Sequence, residues 1–164
     1  KKGIKGMTAL SGEKVVEQFF STYKDSAAEA GRSVTLGQDM SLGFGFYLAD
    51  TQKEAIEKVR PYHDERYKWF SPFGLVRYVD EEGRMWGSPG APARTPMVED
   101  GVQQKAWLCG SPEYFIETLK EMEEKYPGLE DVFLQWPEGM PWSEMSDQLE
   151  IFSKEVIPAF NGRG

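Results

Sequence analysis

Residues 40–59, MSLGFGFYLADTQKEAIEKV, carry the pattern that decides the fold. Met40, Leu42, Phe44, Phe46 and Leu48 alternate with Ser41, Gly43, Gly45 and Tyr47, and a period of two over such a run is the signature of a strand. Directly behind it, Thr51 with Glu54 three residues later makes a capping-box pattern, in which hydroxyl and carboxylate satisfy amides left open at a helix start. The helix that follows is predicted to carry Ala55, Ile56, Val59, Tyr62 and Tyr67 on its apolar stripe. Pro61 lacks an amide hydrogen for the preceding turn, which predicts a kink or break there.

The same alternation of strand and helix extends in both directions. Upstream, residues 3–10 (GIKGMTAL) read as a short buried strand, and Ser11 as the N-cap of a helix with Glu13 in the first turn. That helix places Val15, Val16, Phe19, Phe20, Tyr23 and Ala27 on one face and stops at Gly31. Downstream, residues 70–105 show little regular pattern beyond a short helix near 98–106. Gly83, Gly87, Pro89, Gly90, Pro92 and Pro96 crowd this segment, which reads either as a lid over a site or as a surface excursion. Ser111-Pro112-Glu113 opens a third helix with Phe115, Leu119, Met122 and Tyr126 on its stripe, ended by Pro127-Gly128. Residues 132–136 (VFLQW) are apolar on both faces, as a buried parallel strand would be. A last helix from about Ser143 presents Met145, Leu149, Phe152, Val156 and Phe160. Three strands with alternating helices predict one α/β domain, a parallel sheet with covering helices.

Composition narrows the partners. The chain has 164 residues with 19 Lys and Arg against 27 Asp and Glu, a net charge of −8. That balance disfavours nucleic acid and anionic membranes. A lone cysteine, Cys109, excludes an internal disulfide, and no run approaches a membrane span, so a cytoplasmic location is expected. The sequence opens on Lys1-Lys2-Gly3 with no initiating Met, which is expected either of a start inside a longer gene product or of first residues lost or left out.

Familiar catalytic signatures are absent. There is no G-x-S-x-G elbow, no phosphate-binding P-loop, no dinucleotide G-x-G-x-x-G and no metal-ligand cluster. Gly43-Phe44-Gly45 lies inside a strand, where glycine permits close packing or leaves room for a ligand. His63 falls beside the apolar stripe of the second helix, a poor place for a base, and is read as structural. Cys109 has no base predicted beside it.

Four stretches in order nevertheless carry a resemblance: residues 3–32, the FGFYLADTQKEAIEKV strand–helix junction, the WLCGSPEYF helix start with the strand after it, and the terminal LEIFSKEVIPAF. Together they resemble the closing part of luciferase-like flavin oxidoreductases. The resemblance implies the C-terminal part, about strands six to eight, of a TIM barrel that uses FMN or a deazaflavin. A full barrel needs eight strands and ~250 residues, so the first strands would lie outside this sequence. Apolar sheet edges would then be covered by the missing part or by further copies, giving a homo-oligomer or an association with the N-terminal part.

Barrel sites sit at the C-terminal strand ends, here Thr8 to Leu10, Ala49-Asp50 and Gln135 to Pro137. The resemblance puts Thr8 and Leu10 against the flavin ring, where some relatives carry a large aromatic. Trp107 is a candidate for lining the pocket, or for packing under the long loop. Gly110 and Ser111 at a helix start are candidates for the flavin phosphate. The implied function is oxidation of a small organic molecule by a flavin-dependent monooxygenase or oxidoreductase. The alternative is a non-catalytic half-barrel module without flavin.

Overall fold

The computed structural model describes residues 4–91 and 94–160; Gly3 and Pro92, which figured in the sequence reading, lie outside the described residues. The elements run β1 (Gly6–Ala9), α1 (Glu13–Glu29), β2 (Met40–Leu48), α2 (Gln52–Phe70), α3 (Val98–Gln103), β3 (Trp107–Gly110), α4 (Pro112–Lys125), β4 (Asp131–Gln135) and α5 (Trp142–Ile151). A π-helical turn, Phe152–Val156, and a 3₁₀ turn, Ile157–Ala159, extend α5.

The sheet has four strands, all parallel, and the other three each pair with β2. β1 takes the first half of β2, Gly6 opposite Met40 to Ala9 opposite Gly43. β3 takes the second half, Gly45 opposite Trp107 to Leu48 opposite Gly110. β4 runs beside Ser41 to Gly45. The Gly43 carbonyl accepts from β1 and the Gly45 amide donates to the residue before β3. Backbone groups two apart on a strand point to one edge, so β1 and β3 lie end to end along one edge of β2 and β4 along the other. Sequence reading anticipated three strands. The fourth, β3, is only four residues long and escaped a pattern that needs a longer run.

The odd residues of β2 read as a polar face, yet Gly43, Gly45 and Tyr47 are buried like the even ones. The reason is the two glycines. A Cβ on Gly45 would stand 2.3 Å from the Trp107 ring, and one on Gly43 2.3 Å from the Phe133 ring. Cross-strand aromatics thus fill the space the missing side chains leave. The Trp107 ring in turn meets His63 of α2, with centroids 5.2 Å apart, and this places α2 on the odd face. Right-handed crossovers put α1 and α4 over the even face, where Leu42, Phe44, Phe46 and Leu48 are buried. There Phe20 of α1 meets Tyr126 edge-on at 4.8 Å, and Lys125 of α4 reaches Glu13 and Glu17.

Several local expectations need correction. Gly12 is the N-cap of α1, not Ser11, whose hydroxyl bonds to Thr8 and Ala9 instead. Phe19, expected in the stripe of α1, is exposed and lies under the Arg77 guanidinium. α2 runs unbroken through Pro61, because the proline faces solvent while Val59, His63 and Tyr67 are buried on either side of it. β4 is not buried on both faces: paired on one side only, it leaves Val132 exposed. The C-terminus of α1 behaves as read. Gly31, at φ +76°, follows the cap, with Arg32 N donating to Ala27 O and Gly31 N to Ala28 O, a Schellman closure. Among the described residues no helix is long and apolar enough to cross a membrane.

Two outcomes follow from this packing. Gly45→Ala drives a methyl into a fully buried indole, and urea unfolding should show a loss of about 1–3 kcal/mol. The second concerns His63, fully buried against Tyr67 and Trp107, with Nε2 unpartnered among the described residues. Burial holds its pKa below the usual histidine value against the opposing pull of Asp64. A group whose folded pKa is depressed contributes stability that is lost as pH falls below the unfolded value, about 6.5. His63→Phe should therefore lose less stability than the parent chain between pH 8 and pH 5, and equal losses would contradict this reading.

Candidate functional site

β1 ends in a turn that the backbone holds under constraint. Leu10 sits at φ +51°, in the left-handed region that non-glycine residues rarely enter, with its amide bonded to the Gly43 carbonyl at 3.0 Å. Ser11 Oγ lies 2.9 Å from Thr8 Oγ1 and donates to the Ala9 carbonyl at 3.2 Å. The irregular segment after α2 is laid against this turn. Gly12 N donates to Arg77 O at 2.8 Å, and Glu13 N to Gln104 O at 2.8 Å. Gln104 also holds the backbone of Val79 from both sides, accepting from its N and donating to its O. Arg77, Val79 and Gln104, from the segment read as lid or excursion, thus pack against the β1 end.

A cavity of about 250 Å³ opens at this place. Met7, Thr8, Ala9 and Leu10 line it from β1, Arg66, Tyr67 and Phe70 from α2, and Leu75 and Arg77 from the segment. A second cavity, of about 390 Å³, shares Arg66, Phe70 and Leu75 and adds Trp69, Phe73, Glu65 and Glu138. Trp69, Phe73 and Leu75 are all more than half exposed. Single exposed apolar residues need no explanation, but three around one cavity form an apolar patch of the kind that contacts a ligand or further protein.

The charges here are unequal. Arg66 stacks on the Phe70 ring at 4.5 Å and is ion-paired with Glu138, just past β4. Arg77 lies 5.8 Å over Phe19, and among the described residues no carboxylate pairs with it. A cleft of about 810 Å³ around Asp80, Arg84 and Asp100 is different. Its two arginines are engaged, Arg84 with Asp80 and Glu82, and Arg94 with Asp100 and over the Trp86 ring.

The end of β2 is closed by α5. Leu48 points its peptide groups toward the β4 edge, past the last pair of β4, and the Gln148 amide meets both of them, accepting from N at 2.6 Å and donating to O at 3.0 Å. Tyr47 and Tyr62 each donate to one oxygen of Glu144 at 2.6 Å. The bond to the carboxylate and the Glu144 charge push the Tyr62 phenol up to about 12, and burial followed by the same carboxylate raises Tyr47 further.

Of the residues expected at a cofactor site, the structure brings Thr8 and Leu10 together in one cavity. Trp107 is elsewhere, buried over Gly45 and against His63. Gly110 is buried beneath the Tyr114 ring, and Ser111 caps α4, its Oγ accepting from Tyr114 N at 3.4 Å. Arg66, Phe70, Leu75 and Arg77 were missed. They come from the end of a long helix and from an irregular segment, and no spacing in the sequence links either to β1. Cys109 is buried and its thiol is pushed up to about 12 by burial, consistent with no nucleophilic role. No metal-ligand cluster exists among the described residues.

With this geometry in place, comparison with known proteins is informative. The family model of luciferase-like monooxygenases matches residues 2–127. Among solved structures, the oxygenating constituent of 3,6-diketocamphane monooxygenase from Pseudomonas putida, a type II Baeyer-Villiger monooxygenase in complex with FMN, is similar. It shares 24% identity over 93% of this chain, with a TM-score of 0.65. Monooxygenase RslO1 from Streptomyces bottropensis gives 19% over 96% with 0.67, and EDTA monooxygenase from Chelativorans sp. BNC1 gives 18% over 96% with 0.54. In each case the chain spans 42% of the length of the matched structure. No curated protein matches.

The closure at β2 can be checked by itself. Gln148→Leu leaves the Leu48 amide and carbonyl without partners at a buried strand end and should cost about 2–4 kcal/mol in urea unfolding, with the sheet otherwise intact by circular dichroism.

Proposed function

Since this chain belongs to the family of luciferase-like monooxygenases, we propose that it forms the C-terminal part of a flavin-dependent monooxygenase barrel acting on a small organic substrate. The observation that carries the reading is the cavity at the end of β1, where a parallel-strand end, a left-handed Leu10 and the Thr8 hydroxyl meet. Active sites of parallel β/α barrels are built at such ends.

FMN is the flavin favoured, with a deazaflavin as the alternative. The residues present suit one part of such a group. Phe70 and Leu75 offer apolar walls and Thr8 a hydroxyl, and Arg77 lines the same cavity. A bound flavin would supply the electron transfer and oxygen activation, for which the protein itself needs no acid-base triad. The chain's own residues position and exclude. Leu10 and Thr8 would flank the ring, and the wall held by Gln104 would keep water from it. The adjoining apolar cavity at Trp69 and Phe73 would take the substrate. Further strands would add at the outer edge of β4, which has no partner among the described residues, either from the rest of the barrel or from another copy.

A second reading, a binding module without flavin, draws on one observation: both faces of the central strand β2 are covered within the chain. Titration of the chain with FMN separates the two. The monooxygenase reading expects saturable quenching of flavin fluorescence, and unchanged fluorescence at high protein concentration would favour the module.

A further inference from the structure

The apolar cavity beside the β1 end has an ion pair built into its wall. Arg66, with only 16% of its side chain exposed, lines both cavities. The two partners of its guanidinium are cavity residues as well: Phe70, whose ring it covers at 4.5 Å, and Glu138, which accepts from its Nη1. Glu138 comes from the turn just past β4, so the pair also ties that turn to α2. Glu65, the other carboxylate of the lining, has Lys68 at 3.4 Å and accepts from Trp69 Nε1 at 3.2 Å. Each charge that lines the apolar cavity therefore has a counter-charge beside it, and the rest of the lining is Trp69, Phe70, Phe73 and Leu75. A charged ligand group would give up hydration here and find no free partner, whereas an uncharged one gives up little.

From this we propose that Glu138 decides which charge class the apolar cavity accepts: by neutralising Arg66 it confines the cavity to uncharged apolar molecules. The proposal rests on the reading that this cavity takes the substrate, and adds the residue that sets its specificity. It involves recognition only. Without the Glu138 carboxylate, the guanidinium would stand unpaired on Phe70 and would favour an anion through a charge-assisted contact. Without Arg66, the carboxylate would favour a cation for the same reason. The pair is a charge filter in which each partner cancels the preference of the other.

The test is binding by calorimetry to the whole chain, with octanol, octanoate and octylammonium as probes, all below their aggregation limits. The parent chain should bind octanol at least about fivefold tighter than either ion. Glu138→Gln, at a partly exposed position that tolerates the change, should bind octanoate at least about tenfold tighter than the parent does, and octylammonium more weakly, with octanol unchanged. Adding Arg66→Met to Glu138→Gln removes the cation as well and should abolish the octanoate gain, which ties that gain to this guanidinium. A parent chain that binds either ion as tightly as octanol, or binds none of the three, overturns the proposal. So does an octanoate affinity unmoved by Glu138→Gln, or a gain that survives in the double variant. If FMN fails to bind while these results hold, the flavin reading falls and the charge filter remains. If FMN binds and the octanoate gain is absent, the charge filter alone falls.

Discussion

The whole arrangement turns on the absence of two side chains. With glycine at positions 43 and 45, β2 presents a flat strip of backbone on one face, and the rings of Phe133 and Trp107 lie across it. Trp107 is consequently sunk low enough for His63 and Tyr67 of α2 to close over it. That closure fixes where α2 ends, and so where Arg66 and Phe70 face the end of β1. Gly101 of α3 belongs to the same packing, since a side chain there would meet both Trp107 and the Tyr78 hydroxyl. The cavity is therefore a consequence of core packing more than of local loop sequence.

This explains what was legible beforehand. β2, the N-cap of α2 at Thr51, the start of α4 at Ser111 and the stop of α1 at Gly31 are local patterns with local causes, and each is found where the sequence puts it. β3 was not legible, because four residues carry no measurable period. The burial of β4 was over-read, since an apolar run does not say how many neighbours a strand has. Pro61 misled because the rule about proline concerns the helix alone, whereas α2 is held by what lies beneath it. At the site, Thr8 and Leu10 could be named from barrel logic. Arg66, Leu75 and Arg77 could not, as they reach β1 only through tertiary packing.

Trp107 illustrates the same limit from the other side. A large aromatic just before a helix start invites a pocket assignment, and burial shows it serving the core. Its neighbours at the β3 end are likewise committed, Gly110 under Tyr114 and Ser111 to the cap of α4. The β1 end and the apolar surface beside it are lined by Thr8, Leu10, Phe70, Leu75, Trp69 and Phe73. The chain belongs to the luciferase-like monooxygenases and spans 42% of the length of the matched structures.

The central claim, that the ligand site lies at the end of β1, is tested most directly by amide chemical-shift mapping of the chain during addition of FMN. The account predicts saturable shifts concentrated at residues 7–10, 66–70 and 75–77. Shifts confined to the charged cleft around Asp80, Arg84 and Asp100, or none anywhere, would contradict it.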